Sequence, residues 1–257
     1  MDLGLKNKHV LVTGSSHGIG LEVAKHFLQE GARVIISSRG RERLAKAKSD
    51  LILEYGKENI SAFSCDFSNL DDINSLYEYI KEQHSALDIV VSNIGDGRSV
   101  LDSIPDEQHW KKSWDVNFET GLNTARTFLP MLEESSGALL FISSIAGLEA
   151  FGAPVDYSTA KSALLAFSKN LARKVATKVR VNVVAPGNIN FPGGSWDEKI
   201  SKDAERVDQI IKSTVPMQRF GTTSEIADAV IFLCSGRASF ITGSIMVVDG
   251  GQTTGIF

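Results

Sequence analysis

The fold is decided by the stretch His9-Val-Leu-Val-Thr-Gly-Ser-Ser-His-Gly-Ile-Gly20, in which a short apolar run ends in a glycine-rich turn. Three glycines between a strand and a helix let the backbone approach a pyrophosphate closely, and the helix N-terminus adds amides and a positive dipole. The spacing is G-x-x-x-G-x-G, which differs from the commoner G-x-G-x-x-G. Glycine also serves ordinary tight turns, but the strand–turn–helix context favours nucleotide binding.

Short apolar runs alternate with longer amphipathic stretches from this turn to the end of the chain. The predicted strands are His9–Thr13, Arg33–Ser37, Ile60–Ser64, Asp88–Ser92, Ala138–Ser143, Val179–Val184 and Ser244–Val248. The predicted helices are Gly18–Glu30, Arg41–Tyr55, Asn69–His84, Asp106–Glu134, Val155–Thr177 and Ser224–Leu233. Strands that are apolar without alternation are typical of a parallel sheet covered on both faces. The pattern predicts a doubly wound α/β fold, a parallel sheet of about seven strands with helices on both faces.

Length and composition narrow the class of protein. The chain has 257 residues, 42% of them hydrophobic, and a formal net charge of −4. Without a linker or charge block, we expect one domain over residues 1–257. A slightly acidic chain excludes a nucleic-acid binder held mainly by net positive charge. No apolar run approaches the ~20 residues of a membrane span, and the first residues lack a signal peptide's apolar core. Two cysteines suit a reducing compartment, so we expect a cytoplasmic protein.

One segment, about residues 188–216, interrupts the alternation. It contains Phe191-Pro-Gly-Gly-Ser-Trp196, followed by a polar stretch that we expect to be helical. Long loops in compact domains are usually functional, and this one follows the carboxyl end of a strand, where α/β folds bind ligands. We therefore predict a substrate-loop insertion; a plain surface excursion is the alternative.

The end of the second strand indicates which nucleotide binds. An acid at this position normally accepts hydrogen bonds from the adenosine ribose, but the sequence here is Ser37-Ser38-Arg39-Gly40. An arginine can pair with a 2′-phosphate and Ser38 can donate to it, so NADP(H) is favoured and NAD(H) remains the alternative. Asp66, after the third strand, is placed to accept from the adenine amino group or to cap a helix.

A second group of residues carries the chemistry. Tyr157-Ser-Thr-Ala-Lys161 places a phenol and an ammonium four residues apart on one helix face. A nearby cation favours phenolate and is expected to lower the tyrosine pKa, which would suit proton exchange with an alcohol or ketone oxygen. Ser144 ends the preceding strand, where its hydroxyl can bond the substrate oxygen. Asn117 lies inside a helical segment and could hold a water beside Lys161, or form a locally bonded kink.

Taken together, these residues resemble the short-chain dehydrogenase/reductase family, in its shorter single-domain branch, over essentially the whole chain. The matching motifs are Thr13-Gly14-x-x-x-Gly18-x-Gly20, Asn93, Asn117, Ser144, Tyr157, Lys161 and Pro186-Gly187, in the family's order. The resemblance implies a Rossmann fold and the catalytic tetrad Asn117, Ser144, Tyr157 and Lys161. It implies that the cofactor is bound by Gly14, Ser16, His17, Gly18, Ile19, Gly20, Ser38, Arg39, Asp66, Phe67, Asn93, Gly95, Tyr157, Lys161, Pro186, Gly187 and Ile189. It also implies a homo-oligomer, a tetramer or dimer.

The sequence departs from the family at Ser92-Asn93-Ile94-Gly95, where Ile94 adds bulk beside the adenosine ribose, and at His17, which only partly matches the basic residue of NADP-preferring relatives. The expected activity interconverts a carbonyl and a secondary alcohol, most simply as NADPH-dependent reduction of a ketone or 3-oxoacyl substrate. A sugar, polyol or cyclic alcohol dehydrogenase is the alternative substrate class, and a non-catalytic cofactor-binding regulator is the alternative of another kind. The expected substrate wall, residues 94–100, 145–155 and 190–215, combines apolar side chains (Ile145, Leu148, Phe151, Phe191 and Trp196) with few charges near the tetrad. The histidines show no metal-ligand spacing, so we predict no metal site.

Overall fold

A single parallel sheet organises the protein. The computed structural model describes residues 2–84, 86–98, 100 and 102–256. Within them the strands are β1 His9–Thr13, β2 Arg33–Ser38, β3 Ile60–Ser64, β4 Ile89–Ser92, β5 Ala138–Ile142, β6 Arg180–Pro186 and β7 Ile245–Val248. Their order in the sheet is β3-β2-β1-β4-β5-β6-β7, with every pair parallel. The order turns back between β1 and β4, where doubly wound sheets bind their ligands.

Helices cover both faces of this sheet. They are α1 Gly18–Gln29, α2 Arg41–Tyr55, α3 Leu70–Gln83, α4 Glu107–Trp114, α5 Thr120–Ser135, α6 Val155–Val175, α7 Ser195–Lys202, α8 Ala204–Thr214 and α9 Thr223–Cys234. One apolar core joins the sheet to α1, α2 and α9, and it includes Phe27 and Ile36. A second core joins the opposite face to α3, α5 and α6, and it includes Phe128 and Phe141. The predicted doubly wound α/β fold is therefore confirmed.

The long helix predicted over 106–134 contains an irregularity. A π-helical turn, Asp115–Glu119, separates α4 from α5, so that the three segments run on without a loop. Asn117 is the buried residue of this turn. A single π turn inserts one extra residue into a helix and re-aims the side chains around it. Periodicity alone predicts a continuous helix and misses this turn.

The interrupting segment differs from the single helical stretch expected. It forms two short helices, α7 and α8, which are divided at Asp203; the Asp203 side chain caps α8 by accepting from the Arg206 N–H. A separate small apolar cluster holds them together, with Val207, Ile211 and Val215 at its centre and Trp196 and Phe220 packed against it. The insertion is therefore an ordered layer at the carboxyl edge of the sheet.

Candidate active site

The carboxyl ends of the strands open into a cleft of about 1500 Å³. Most of the predicted site residues line it, namely Gly14, Ser16, His17, Ile19, Ser38, Arg39, Asp66, Phe67, Asn93, Gly95, Ser144, Tyr157, Lys161, Pro186, Gly187 and Ile189. Three predicted site residues do not line the cleft, and the geometry gives the reason for each. Gly18 is covered by the Phe191 ring, Gly20 packs on the Gly14 carbonyl, and Asn117 is buried behind the loop that follows β4.

The glycine turn is closed on one side by an aromatic ring. Gly18 has φ +58°, and a Cβ built there would lie 2.7 Å from Cε2 of Phe191, so that both conformation and space require glycine. The His17 and Phe191 rings meet edge to face with centroids 6.2 Å apart. Ser15 locks the turn to the sheet, since its hydroxyl donates to the Val12 carbonyl at 2.7 Å and accepts from the Ser37 N–H at 2.9 Å. The turn is thus held rigid before any ligand binds.

The first turn of α1 is suited to an anion. Its N-cap residue, His17, gives the helix no side-chain hydrogen bond, and the first turn carries no acidic residue within the described chain. Uncapped N–H groups at a helix N-terminus, together with the helix dipole, attract phosphate. The residues lining the cleft on either side of this helix start, including Gly14 and Ile19, leave it open to the cleft. This part of the site fits a pyrophosphate.

The end of β2 offers a second anion site. The Ser38 Oγ is buried and has no hydrogen-bond partner among the described residues, and Arg39, Arg41 and Arg43 line the cleft beside it. Burial lowers the pKa of His17, and the nearby Arg43 and Arg98 lower it further, so this imidazole is largely neutral near pH 7. An orphaned hydroxyl among arginines fits a 2′-phosphate, while His17 adds little charge to it.

Asp66 behaves as a fixed carboxylate. Its Oδ1 accepts from the Ser68 N–H at 2.9 Å and from the Ser68 hydroxyl at 2.7 Å. The hydrogen bond from the Ser68 side chain, above all, lowers the pKa of Asp66. The cap of α3 is Asn69, whose side chain accepts from the N–H groups of Asp71 and Asp72. The helix-capping alternative for Asp66 is therefore wrong, and its place in the cleft agrees with the adenine position predicted.

Asn93 ties the end of β4 to the glycine turn. Its backbone N–H donates to Thr13 Oγ1 at 3.0 Å, and its Nδ2 donates to the carbonyls of Thr13 and Gly14 at 3.2 Å each. The neighbouring Ile94 lies against Gly14, where a Cβ would come within 3.3 Å of Ile94 Cγ1. Asn93 therefore supports the turn from beneath, and the predicted bulk of Ile94 does face this part of the cleft.

Ser144, Tyr157 and Lys161 meet at the middle of the cleft. Lys161 is 3% exposed, its Nζ lies 5.9 Å from the Tyr157 ring centroid, and it donates to the Ile142 carbonyl at 3.2 Å. The Ser144 hydroxyl accepts from the Ala146 N–H at 3.1 Å, so its own proton is free to be donated. These three side chains come from the end of β5 and from two successive turns of α6, as the sequence predicts.

The pKa values of this group are set mainly by burial. Burial raises the pKa of Tyr157, a hydrogen bond with Ser144 opposes the rise, and the charge of Asp96 adds to it. Burial lowers the pKa of Lys161 to about 8. The expected lowering of the tyrosine pKa by Lys161 is therefore wrong for the protein alone, because desolvation is the largest influence on the phenol. A raised pKa keeps the phenol protonated, which is the state that can donate a proton.

Asn117 acts on the loop after β4. Its Nδ2 donates to the carbonyls of Asp96 and Ser113 at 3.0 Å each, and its Oδ1 accepts from the Asp96 N–H at 2.9 Å. The loop passes so close to Lys161 that a Cβ at Gly95 would lie 2.7 Å from Nζ. The locally bonded kink considered for Asn117 is thus present, and the π turn provides it. A water relay through Asn117 stays a prediction.

The predicted substrate wall brings both apolar and charged side chains to the cleft. Apolar residues of the predicted wall do line it, including Ile145, Phe151, Phe191 and Trp196. Leu148, by contrast, is exposed outside the cleft. The charged side chains Asp96, Arg98 and Lys199 of this wall line the cleft as well, and the charge of Asp96 acts on Tyr157. Lys111, Lys112 and Asp115, which come from α4 and the π turn and lie outside the predicted wall, also line the cleft. Ser99 and Leu101, in or beside the predicted wall, lie outside the described residues.

Sequence reasoning missed two parts of the cleft lining. One is the face of α4 and the π turn formed by Gln108, Lys111, Lys112 and Asp115, whose spacing of three and four residues is a helical signal that could have identified it. The other is Gln252, in the tail after β7, for which no local pattern gives a signal. Both parts line the cleft only in the folded protein, because tertiary structure brings them there.

An ion pair joins the insertion to the loop after β4. Arg98 Nε lies 3.2 Å from Glu198 Oε1, Arg98 Nη1 lies 3.2 Å from Asp96 Oδ1, and Nη2 donates to the Gly193 carbonyl at 3.3 Å. The hydrogen bond with Arg98 lowers the pKa of Glu198. Exposed pairs of this kind add little stability, but a bidentate arginine fixes orientation. Arg98 therefore sets where α7 lies over the cleft.

The residues that the structure describes contain neither a metal-ligating cluster nor a membrane-spanning helix. No group of three or more His, Cys, Asp and Glu side chains in that part of the chain is arranged to hold a metal ion. None of the helices described there combines the length and the hydropathy that a bilayer-crossing segment requires.

The fold and the site together define an oxidoreductase built on a dinucleotide-binding sheet. A family model described as enoyl-(acyl carrier protein) reductase matches residues 14–253. The chain belongs to the short-chain dehydrogenase/reductase family. It is an enzyme of the class that acts on CH–OH and carbonyl groups.

The comparisons extend over the whole chain. YvrD, an uncharacterized oxidoreductase of Bacillus subtilis, is 36% identical over 98% of each chain. The 3-oxoacyl-(acyl-carrier-protein) reductase FabG of Aquifex aeolicus is 34% identical over 98% of this chain and 100% of its own. The structure of L-sorbose reductase from Gluconobacter frateurii, complexed with NADPH and L-sorbose, matches with a TM-score of 0.93 at 29% identity and covers 100% of both chains. An NADP complex of RhlG from Pseudomonas aeruginosa has a TM-score of 0.88 at 30% identity, covering 98% of this chain and 99% of its own.

Proposed function

We propose that the protein is an NADPH-dependent reductase that converts a ketone into a secondary alcohol, reversibly. The observation that carries this proposal is the meeting of Ser144, Tyr157 and Lys161 in one cleft with an uncapped helix N-terminus and an arginine-lined hydroxyl. A phenol with a raised pKa is a proton donor, and a binding module would have no need of one beside a buried ammonium.

Some of these residues would bind the cofactor, and others would transfer the proton. The glycine turn and α1 would hold the pyrophosphate, Ser38 and Arg39 the 2′-phosphate, and Lys161 the nicotinamide ribose. When bound, the cofactor supplies a hydride for the carbonyl carbon. Tyr157 donates its phenolic proton to the substrate oxygen, while Ser144 donates a hydrogen bond to the same oxygen and stabilises its developing charge. Asn117 acts indirectly, because it fixes the loop of Asp96 that packs against Lys161.

Two observations support NADP(H) over NAD(H) as the cofactor. The neighbouring structures of L-sorbose reductase and RhlG were obtained with NADPH and NADP respectively. In this chain the Ser38 hydroxyl is buried without a partner among the described residues, and no acid stands at the end of β2 to accept from a ribose. A 2′-phosphate would supply the acceptor that Ser38 lacks and the charge that Arg39 can pair with.

We expect Arg39→Asp to shift the preference from NADPH towards NADH, because it removes the phosphate's partner and adds a repelling charge. The ratio of kcat/KM for NADPH to kcat/KM for NADH should fall by at least about tenfold, the equivalent of one charge-assisted hydrogen bond. The matched control is Arg33→Asp at the opposite end of β2, which is exposed and distant from the cleft. An unchanged ratio in Arg39→Asp would assign the phosphate to Arg41 or Arg43.

The substrate class is tested by measuring the oxidation of NADPH and of NADH with simple ketones, 3-oxoacyl thioesters and ketoses. Two relatives support different classes, since FabG is named for 3-oxoacyl-(acyl-carrier-protein) and the L-sorbose reductase structure contains L-sorbose. The charge of Asp96, which acts on Tyr157, supports polar substrates as a second candidate. If no carbonyl compound is reduced although NADPH binds, the alternative of a cofactor-binding regulator replaces the enzyme assignment.

We also propose that the chain acts as a homo-oligomer, a dimer or a tetramer. The last strand, β7, is an edge of the sheet with a half-buried to exposed face, and Phe240 just before it is fully exposed. An unpaired apolar edge is normally covered in solution. Light scattering should give two or four times the chain mass of 27.9 kDa. A monomer at micromolar concentration would contradict this.

A further inference from the structure

The tail after β7 carries one side chain into the cleft. Asp249 accepts hydrogen bonds from the N–H groups of Gly251 at 2.9 Å and Thr253 at 2.6 Å, which folds the tail back on itself. Glu149 then accepts from the Thr254 N–H at 2.9 Å and anchors the chain beyond it. Gln252 lies between Gly251 and Thr253, the two residues that Asp249 holds, and it lines the cleft. Its position is therefore set by hydrogen bonds on both sides.

The sheet topology places Gln252 at the substrate end of the cleft. β7 pairs with β6 in the register Pro186↔Val248, and a Cβ at Gly187 would lie 2.7 Å from Asp249 Cβ. The second anchor, Glu149, follows the short helical turn that begins just after Ser144. Gln252 is thus held between the Pro-Gly turn of β6 and the turn after Ser144, on the side away from the adenosine end at β2 and β3.

The side-chain oxygen of Gln252 lacks a hydrogen-bond donor among the described residues. The residue is 8% exposed, and its Oε1 is buried without a hydrogen-bond partner among the described residues. A buried carbonyl oxygen that lacks a donor is unfavourable, and such groups in native proteins usually have a reason in function. Gln252 as a residue lines the same cleft as Ser144 and Tyr157, so a molecule bound in the cleft could supply the donor to its amide.

We propose that Gln252 is a specificity-determining residue that accepts a hydrogen bond from a hydroxyl group of the substrate close to the reacting carbonyl, so that the enzyme prefers hydroxyketones. This inference rests on the proposed ketone reduction. A donor is required, since an amide oxygen only accepts. An anionic group has no proton to donate to an amide oxygen, so a neutral hydroxyl suits this place. A site built to bond a hydroxyl rejects the analogue without it, because its own polar group is then left unpaired.

The test compares ketones that differ by one hydroxyl. The probes are 3-hydroxy-2-butanone with 2-butanone, and 2-hydroxycyclohexanone with cyclohexanone, each at saturating NADPH. The variants are Gln252→Met, which keeps length and removes the acceptor, and Gln252→Glu, which keeps an acceptor. Gln83→Met, at the exposed end of α3, is the matched control. The kcat/KM for each probe is measured together with the NADPH affinity, and the rise in Tm with each ketone gives a readout that needs no turnover.

We expect the wild type to prefer the hydroxylated member of each pair at least tenfold, and Gln252→Met to lose most of that preference, chiefly through a lower kcat/KM for the hydroxylated ketones. Gln252→Glu should keep it, and the Tm difference between paired ketones should vanish only in Gln252→Met. Equal treatment of both members by the wild type overturns the inference. So does a Gln252→Met variant that loses NADPH affinity instead, since the amide would then face the cofactor. Absence of any turnover counts against the proposed function, while the Tm comparison still decides on Gln252.

Discussion

Tyr157→Phe is expected to fold and to bind NADPH, yet to reduce ketones about 10²- to 10⁴-fold more slowly in kcat, the usual contribution of a general acid. The change removes one oxygen from a half-buried ring and leaves its packing on α6 intact. The loss should fall on kcat more than on KM, because the proton moves only in the transition state. Steady-state kinetics with any ketone from the screen, together with NADPH titration, measures both.

The control for this variant is Tyr79→Phe. Tyr79 lies on α3 with its ring 5.0 Å from that of Phe63, remote from the cleft, so loss of its hydroxyl should leave kcat unchanged. A Tyr157→Phe enzyme with the kcat of the wild type would remove the phenol from the mechanism. A variant that no longer binds NADPH would instead assign the hydroxyl to cofactor binding.

Lys161→Met is expected to abolish the pH dependence of the reaction along with most of its rate. In the free protein the pKa of Lys161 is lowered to about 8, so the ammonium is lost as the pH rises through that value. Because kcat/KM reports the free enzyme, ketone reduction in the wild type should decline above about pH 8. Tyr157, with its raised pKa, stays protonated throughout this range and does not cause the decline. Lys161→Met should give a flat profile at a level at least about a hundredfold lower.

The same substitution should stabilise the fold at neutral pH. The pKa of Lys161 is 10.5 in the unfolded chain and about 8 in the folded protein. Below about pH 8, where the side chain is charged in both states, this difference lowers the free energy of unfolding by an amount on the order of 3 kcal/mol. Since the unfolded chain binds the extra proton between pH 8 and pH 10.5, the free energy of unfolding of the wild type rises with pH across this window. The difference between wild type and variant should therefore shrink as the pH rises.

Lys174→Met, on the exposed side of the same helix, is the matched control for both measurements. It should change neither the pH profile nor the pH dependence of unfolding. Urea unfolding at pH 7 and at pH 10 gives the stability difference directly. If Lys161→Met is less stable than the wild type at pH 7, the buried ammonium has partners that compensate its desolvation, and its role as a destabilised functional charge is contradicted.

The parts of the molecule that the sequence predicts well are those decided by neighbours along the chain. Unbroken apolar runs such as Val10–Val12 identify buried parallel strands, and β1 and β3 begin and end where predicted. The glycine turn, the end of β2 and the Tyr157–Lys161 spacing each lie within one strand–helix unit. Because parallel strands bring their carboxyl ends to one edge, these local patterns also predict that the residues meet.

The parts that could not be predicted depend on segments far apart in sequence. Phe191 covers Gly18, and Gln252 enters the cleft because Glu149 holds the tail, and neither contact leaves a local pattern. The direction of the Tyr157 pKa shift is of the same kind. Proximity to Lys161 follows from helical spacing, but burial, which raises the pKa of Tyr157, is a property of the folded cleft.

The π turn at Asp115–Glu119 has a consequence for how this protein could change over time. Deleting one residue there would restore regular α-helical bonding, and a regular helix is ordinarily the firmer structure. The same deletion would rotate Asn117 away from the backbone of Asp96 and release the loop that lies against Lys161. At this turn, mutations that make the helix more stable would impair the enzyme, so selection for activity opposes them.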